Sequence, residues 1–157
     1  TLCWFDGEEP FYPIPWDDNT NSTFGSRHLS EKMKADGTLS SIKALVLLDM
    51  VGDKELGVLI ESMSSSWIAR VFEQTAQGLG YHQLLIGRQE VKDDHRTFLR
   101  KGVPGIDLID FHFGPANSFW HTNKDDLSTC SSESLKKIGT LVMTALPRLE
   151  EEALKRK

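Results

Sequence analysis

The stretch 42–51 constrains the fold more than any other part of the sequence. Its apolar residues run almost without interruption and end in Asp49. A strand that is apolar on both faces is typical of a parallel or mixed sheet covered on both sides. Helical patterns alternate with strand patterns along the rest of the chain, which indicates a layered α/β fold. We therefore expect three α/β/α layers around a mixed, mostly parallel central sheet.

The other elements follow from apolar spacing and from helix start and stop signals. Apolar runs predict further strands over 1–5, 56–60 and 105–110, and Cys3 is expected to be a small core residue. Helices are predicted over 22–37, 64–78, 93–101 and 131–154, with a long loop over 10–23. No repeat or linker interrupts the pattern, so residues 1–157 are predicted to form one domain.

Composition excludes two classes of partner. The 157 residues carry a net charge of −5 with an isoelectric point near 5.5, whereas a nucleic-acid surface needs a basic face to meet phosphates. No run of eighteen apolar residues occurs, so the sequence predicts no membrane-spanning helix. The ordinary apolar and charged fractions are those of a globular domain.

Side chains suited to metal binding and proton transfer gather at four places, three of them after predicted strands: Glu8-Glu9, Asp49, Asp93-Asp94-His95 and His121. Strand ends of an α/β sheet converge on one crevice. Of two adjacent glutamates, one can hold a metal while the other moves a proton. The histidine supplies a second ligand, and this oxygen and nitrogen set suits zinc.

Each of these residues also has a structural interpretation. A lone Glu8-Glu9 pair is more often a solvated loop, and Asp93-Asp94 fits the acidic start of a helix. Asp49 would cap a turn, His121 would be a satisfied loop histidine, and for His95 the structural role is favoured. Motifs of serine hydrolases, phosphate-binding loops and helix-borne zinc peptidases do not occur.

Six ordered motifs carry a resemblance to a known family: Phe5-Asp6-Gly7-Glu8-Glu9, Phe24-Gly25-Ser26-Arg27-His28-Leu29, Leu47-Leu48-Asp49-Met50-Val51-Gly52, Asp93-Asp94-His95 with Phe98-Leu99, Gly102-Val103-Pro104, and Trp120-His121-Thr122. The chain resembles the zinc-dependent glutaminyl cyclases and their relatives, the co-catalytic zinc aminopeptidases. The resemblance implies a zinc exopeptidase-like fold. It also suggests an N-terminally truncated domain, the later portion of a longer protein.

The resemblance implies a role for each matching polar residue. Glu8 would be the general base and acid, and Glu9 and His121 would be zinc ligands. Asp49 would serve in a hydrogen-bond relay in a cyclase or bind a second metal in an aminopeptidase. Asp93 would join the relay, with Asp94 as the competing choice.

The resemblance further implies aromatic pocket walls, a substrate and a cofactor. Trp16, Trp120 and Phe119 would contact the substrate, with Phe113 as a looser candidate. A cyclase would bind one zinc ion and convert N-terminal glutamine to pyroglutamate with release of ammonia, whereas an aminopeptidase would bind two and hydrolyse N-terminal residues. The substrates would be peptide or protein N-termini, and the relatives point to a periplasmic or secreted protein.

The sequence also departs from the family pattern. An upstream histidine and an aspartate ligand of the family do not occur in these residues, so we expect weak or no zinc binding by this chain alone unless another segment supplies the aspartate. Lys92 stands where cyclases often have glutamine. An aminopeptidase and a non-catalytic fragment therefore remain as alternatives to a cyclase.

Overall fold

A four-stranded mixed sheet lies at the centre of the computed structural model, which describes residues 1–11 and 20–156. Its strands are β1 (Leu45–Asp49), β2 (Val58–Glu61), β3 (Leu85–Gln89) and β4 (Gly105–Ile109). They lie in the order β1-β4-β2-β3. β1 is parallel to β4 and β2 is parallel to β3, while β2 and β4 are antiparallel. The expected mixed α/β sheet is confirmed.

Four α-helices form the outer layers: α1 (Phe24–Ala35), α2 (Ser66–Gly78), α3 (His95–Leu99) and α4 (Ser132–Leu154). Short 3-10 turns occur at Leu39–Ser41 and Pro115–Asn117. Helices α2 and α4 pack together over one face of the sheet, and α1 and α3 pack together on the other. Within the described ranges, no helix combines the length and apolar composition needed to cross a bilayer.

Strand β4 buries apolar side chains on one face of the sheet and a charged side chain on the other. Side chains alternate between the two faces of a strand. Ile106 and Leu108 are buried in the main core with α2 and α4. Asp107 lies between them in the sequence and contacts His95 of α3 on the opposite face. The face that carries α3 is therefore the one that receives buried charged groups.

Strand β3 was not predicted from the sequence. Its segment, Leu-Ile-Gly-Arg-Gln, has only two apolar residues and contains Gly87. It lies at the edge of the sheet and pairs with β2 alone. Three of its five residues are exposed, so burial imposed no apolar pattern on this strand.

The strand predicted over residues 1–5 is wrong. These residues form no strand, and the side chains of Leu2 and Trp4 are 82% and 86% exposed. Cys3 is exposed and is not the core residue expected from its apolar neighbours. Strand β1 pairs only with β4, and no strand among the described residues lies beside residues 1–5 to cover them.

The loop that carries the Glu8-Glu9 pair is held against the first turn of α1. The backbone N–H groups of Thr23, Phe24 and Gly25 donate to the carbonyls of Glu8, Gly7 and Asp6 at 2.7, 2.8 and 2.9 Å. The first N–H groups of an α-helix have no hydrogen-bond partner within the helix. The Thr23 side chain makes no cap hydrogen bond. The backbone of the acidic loop caps the helix instead.

We expect Gly25→Ala to displace this loop. A β-carbon at position 25 would lie 2.6 Å from the carbonyl oxygen of Asp6 and 2.8 Å from its nitrogen. Because both are backbone atoms, relief requires a shift of the loop, and we expect a loss of about 1–3 kcal/mol in the free energy of unfolding. Chemical denaturation measures it.

Gly139→Ala is the matched control, because a β-carbon there meets no atom within 4 Å. Alanine is the better helix former, so this variant should be neutral or more stable by about 1 kcal/mol. Equal stability of both variants would contradict the close approach described for Gly25.

Candidate active site

One cavity of about 420 Å³ opens where β1 and β4 end. Its lining includes six residues singled out from the sequence: Glu8, Glu9, Asp49, Asp93, Trp120 and His121. The parallel pairing of β1 with β4 brings Asp49 to this edge. The segment that follows β3 contributes Asp93, and separate loops contribute the other residues. The arrangement therefore gathers residues that are up to 113 positions apart in the chain, from Glu8 to His121.

The two residues proposed as metal ligands are in direct contact. Nε2 of His121 lies 2.8 Å from Oε1 of Glu9, and the side chains are 40% and 58% exposed. A carboxylate oxygen and an imidazole nitrogen this close can both face one cation, and they are donor types that zinc accepts. The residues present therefore fit two positions of a zinc site and leave the remaining positions to other groups.

Glu8 lies where its ionised form is disfavoured. Burial raises its pKa to about 8, and the negative charges of Asp93, Glu9, Asp49 and Asp94 add to the effect in that order. A carboxyl group with a near-neutral pKa can both accept and donate a proton at physiological pH. Glu8 thus has the electrostatic setting that a general base and acid requires.

The neighbouring aspartates share this environment. Burial, with the charge of Asp49, raises the pKa of Asp93 to about 7, although the Asp94 N–H lowers it. Burial likewise raises the pKa of Asp49. Asp94 does not line the cavity: its Oδ1 accepts a hydrogen bond from Ser26 of α1. Of the two competing candidates, Asp93 is the one at the cavity.

Aromatic side chains form one wall of the cavity. The Trp120 ring stacks on His121, with ring centroids 3.8 Å apart, and meets Phe111 at 5.4 Å. Phe111 lines the cavity and was not identified from the sequence. Phe119 instead packs edge-on against the buried Phe113 at 5.6 Å, outside the cavity lining. Trp16 lies outside the described residues.

Sequence reasoning named Asp93 and His95 but missed Asp107, with which they form a buried polar group behind the cavity. Asp93, His95 and Asp107 offer three ligand atoms that lie within 4.8 Å of one another, and all three residues are buried. Glu61 contacts the other side of His95. The available signal was Asp107 itself, a charged residue inside the apolar run 105–110. These residues are a second place where a metal ion could be held.

Comparison with known proteins places this geometry in a family. The profile of peptidase family M28 matches residues 1–146. The glutaminyl-peptide cyclotransferase of Boiga dendrophila is 31% identical over 163 aligned residues, which cover 90% of this chain and 43% of that protein. The chain thus spans less than half the length of this curated relative.

Solved structures show the same likeness. The glutaminyl cyclase of an Acidobacteriales bacterium matches with a TM-score of 0.88 and 34% identity, over 95% of this chain and 52% of that one. A leucine aminopeptidase precursor from Bacteroides thetaiotaomicron matches with a TM-score of 0.78 and 26% identity, over 90% and 50% of the two chains. These relatives are enzymes. The fold and the near-complete profile match together show that the chain belongs to peptidase family M28.

Proposed function

We propose that the protein is a zinc-dependent glutaminyl-peptide cyclotransferase that acts on peptide or protein N-termini. The observation that carries the proposal is the single cavity in which Glu8, with its pKa near 8, lies beside the adjoining Glu9 and His121 side chains. The similarity to glutaminyl cyclases in sequence and in structure supports it. Export to the periplasm or beyond is part of the proposal and rests on the family resemblance.

Glu9 and His121 would hold the zinc ion. When bound, zinc polarises the γ-carbonyl of the N-terminal glutamine as a Lewis acid. Catalytic zinc sites have three protein ligands as a rule. An aspartate that corresponds to the family's upstream aspartate ligand would complete the set.

Glu8 would carry the proton. In its ionised form it takes a proton from the α-amino group as the nitrogen attacks the γ-carbon of the side-chain amide. A carbon–nitrogen bond closes the ring, the bond to the amide nitrogen breaks, and Glu8 returns the proton to the departing ammonia. Asp93 and Asp49 contribute by keeping the pKa of Glu8 close to neutrality.

The walls of the cavity suit a cationic N-terminus. Asp125 adds a carboxylate to those of the proposed machinery, as does Glu90, which is paired with Arg96 at 2.9 Å. This negative potential attracts the α-ammonium group of a peptide, which loses one proton to solvent before its neutral nitrogen attacks. Trp120 supplies an apolar surface for the first side chain. Lys92 also lines the cavity and introduces a positive charge near Asp93.

A zinc aminopeptidase is the alternative function. Asp49 lies at the cavity, where it would serve as a ligand for a second metal, and an aminopeptidase precursor shares the fold. Glu8 would then activate a water molecule for hydrolysis. A non-catalytic fragment is the third alternative, because the described residues of this cavity supply two proposed ligands, Glu9 and His121.

Glu8→Gln in the complete gene product should lower kcat/KM by about 10²–10⁴ on either substrate class, because it removes the proton carrier. Metal content should stay unchanged, since Glu8 is not a proposed ligand. Fluorogenic glutaminyl and aminoacyl peptides, assayed side by side with metal analysis, measure both. The exposed Glu55→Gln is the control, and unchanged turnover by Glu8→Gln would contradict the proposed role.

Asp49→Asn discriminates the two enzyme proposals. If the protein is a cyclase, the complete gene product should bind one zinc ion before and after the substitution. If it is an aminopeptidase, the stoichiometry should fall from two to one. Two metals retained by Asp49→Asn would show that neither description of Asp49 is correct.

Zinc binding by these 157 residues alone should be weak. A structural zinc site has four ligands, so two ligands should supply roughly half of its zinc-binding free energy. That half corresponds to a dissociation constant of about 1 μM to 1 mM. Titration calorimetry should show this binding lost in His121→Ala and retained in His82→Ala, whose exposed side chain lies at a different cavity. A tight stoichiometric site that survives His121→Ala would contradict the assignment.

A further inference from the structure

A second cavity lies at the opposite end of the two parallel strands that lead to the candidate active site. Lys43 and Pro104 line it just before β1 and β4 begin. Its walls also come from the C-terminal turns of α1 and α4, the turn at Leu39–Ser41 and the start of α2. The volume of about 530 Å³ is within the usual range for small-molecule sites. No residue that lines it takes part in the proposed chemistry.

The lining of this cavity carries four cationic side chains: Lys34, Lys43, Lys101 and Arg156. No aspartate or glutamate occurs among the described residues of the lining. In the whole chain, by contrast, 23 acidic residues outnumber 18 lysines and arginines. We call this site the basic cavity. Its positive potential is local and opposite in sign to the net charge of the chain.

Carboxylates outside the lining compensate two of the four charges. Nζ of Lys101 lies 2.9 Å from Oε1 of Glu31. A guanidinium nitrogen of Arg156 lies 4.0 Å from Oε2 of Glu152, at the limit of an ion pair. These contacts leave the other two cations to be explained.

The two remaining lysines face the cavity without a carboxylate partner. Nζ of Lys43 donates to the carbonyl oxygen of Ser40 at 2.8 Å, which orders the side chain but does not neutralise it. Lys34 has no carboxylate within ion-pair distance in the part of the chain that the structure describes. Like charges that converge on one cavity repel each other, and a bound anion relieves this repulsion.

Helix dipoles account for part of the charge but not for all of it. Lys34 lies in the last turn of α1 and Arg156 follows the end of α4, where cations are favoured. Lys43 belongs to the segment that enters β1, so no α-helix favours its charge there. The dipoles also do not explain why these side chains meet at one cavity.

One wall of the basic cavity is apolar. Ile42, Trp67 and Val103 contribute to it. The guanidinium carbon of Arg156 lies 5.0 Å from the centroid of the Trp67 ring. This cation–π contact holds a positive charge beside the apolar wall. A ligand that satisfies the whole cavity therefore combines an anionic group with an apolar body.

We propose that the basic cavity binds a small organic phosphate, with the phosphate group facing Lys34 and Lys43 and the apolar body against the wall that contains Trp67. A phosphate monoester carries a charge of about −1.5 to −2 at pH 7, which matches two uncompensated lysines. A carboxylate supplies a smaller charge, and an inorganic ion leaves the apolar wall in water. The inference does not depend on the reaction at the other end of the strands.

Phenyl phosphate is the probe, because it joins a phosphate group to a flat apolar body. Titration calorimetry of the complete gene product, with chelator present and at constant ionic strength, should show one site with a dissociation constant of about 1 mM or tighter. Inorganic phosphate and phenol, titrated separately, should each bind at least about tenfold more weakly, because each lacks one half of the ligand.

Substitutions on one helix test the charge. Lys34→Gln should weaken the binding of phenyl phosphate by about fivefold. Lys32→Gln is the matched control, because Lys32 pairs with Asp36 at 2.6 Å and does not line the cavity. It removes the same charge two residues away and should change the dissociation constant by less than about twofold. Both lysines are exposed, so an unchanged Tm should show that both variants fold.

Tryptophan fluorescence locates the ligand. Phenyl phosphate should change the emission of the unmodified protein, and Trp67→Phe should abolish this change. Calorimetry should still detect binding by Trp67→Phe, because phenylalanine keeps a flat apolar surface at the wall.

Four results would overturn the inference. Absence of saturable binding would contradict it outright, and equal affinities for phenyl phosphate and inorganic phosphate would show that the apolar wall has no part. Equal losses in Lys34→Gln and Lys32→Gln would show that the anion responds to general charge. A fluorescence change that persists in Trp67→Phe would place the ligand elsewhere. None of these readouts requires turnover, so they do not test the proposed function.

Discussion

The cost of burying several carboxyl groups at one place governs the rest of this structure. Burial is the largest cause of the raised pKa at each of five positions around the cavity floor: Glu8, Asp49, Asp93, Asp94 and Asp107. Carboxylates this close cannot all stay ionised in a poorly solvated site. They must share protons or meet a cation. Proton transfer and metal binding, the two properties expected of the site, are both consequences of that constraint.

Backbone hydrogen bonds hold the elements that carry the cluster in place. The parallel pairing of β1 with β4 sets Asp49 at the cavity, and antiparallel β2 brings Glu61 beneath His95. The loop of Glu8 is held by three backbone hydrogen bonds to the start of α1. Because backbone groups make these connections, the acidic side chains remain available for substrate, proton or metal.

Local patterns in the sequence predicted much of this arrangement. Apolar runs that end in polar residues identified Asp49, and the ordered motifs identified five more cavity residues: Glu8, Glu9, Asp93, Trp120 and His121. Glu90, Phe111 and Asp125 of the lining were not identified. What the sequence missed depends on tertiary partners. An edge position explains why β3 has no apolar pattern. No strand among the described residues lies beside the apolar segment 1–5, which explains why Leu2 and Trp4 are exposed. Asp107 was overlooked because its partners, Glu61 and His95, lie far from it in the sequence.

The pH dependence of stability tests the central claim, that the buried carboxyl groups hold protons at neutral pH. The folded pKa values of Glu8, Asp93 and Asp107, about 8, 7 and 9, lie above their ordinary values. Their contribution is complete below about pH 4 and is lost as the pH rises through the folded pKa values. With chelator present, the free energy of unfolding should therefore fall as the pH rises from about 5 to about 8. A free energy of unfolding that is constant or rises over this range would contradict the account.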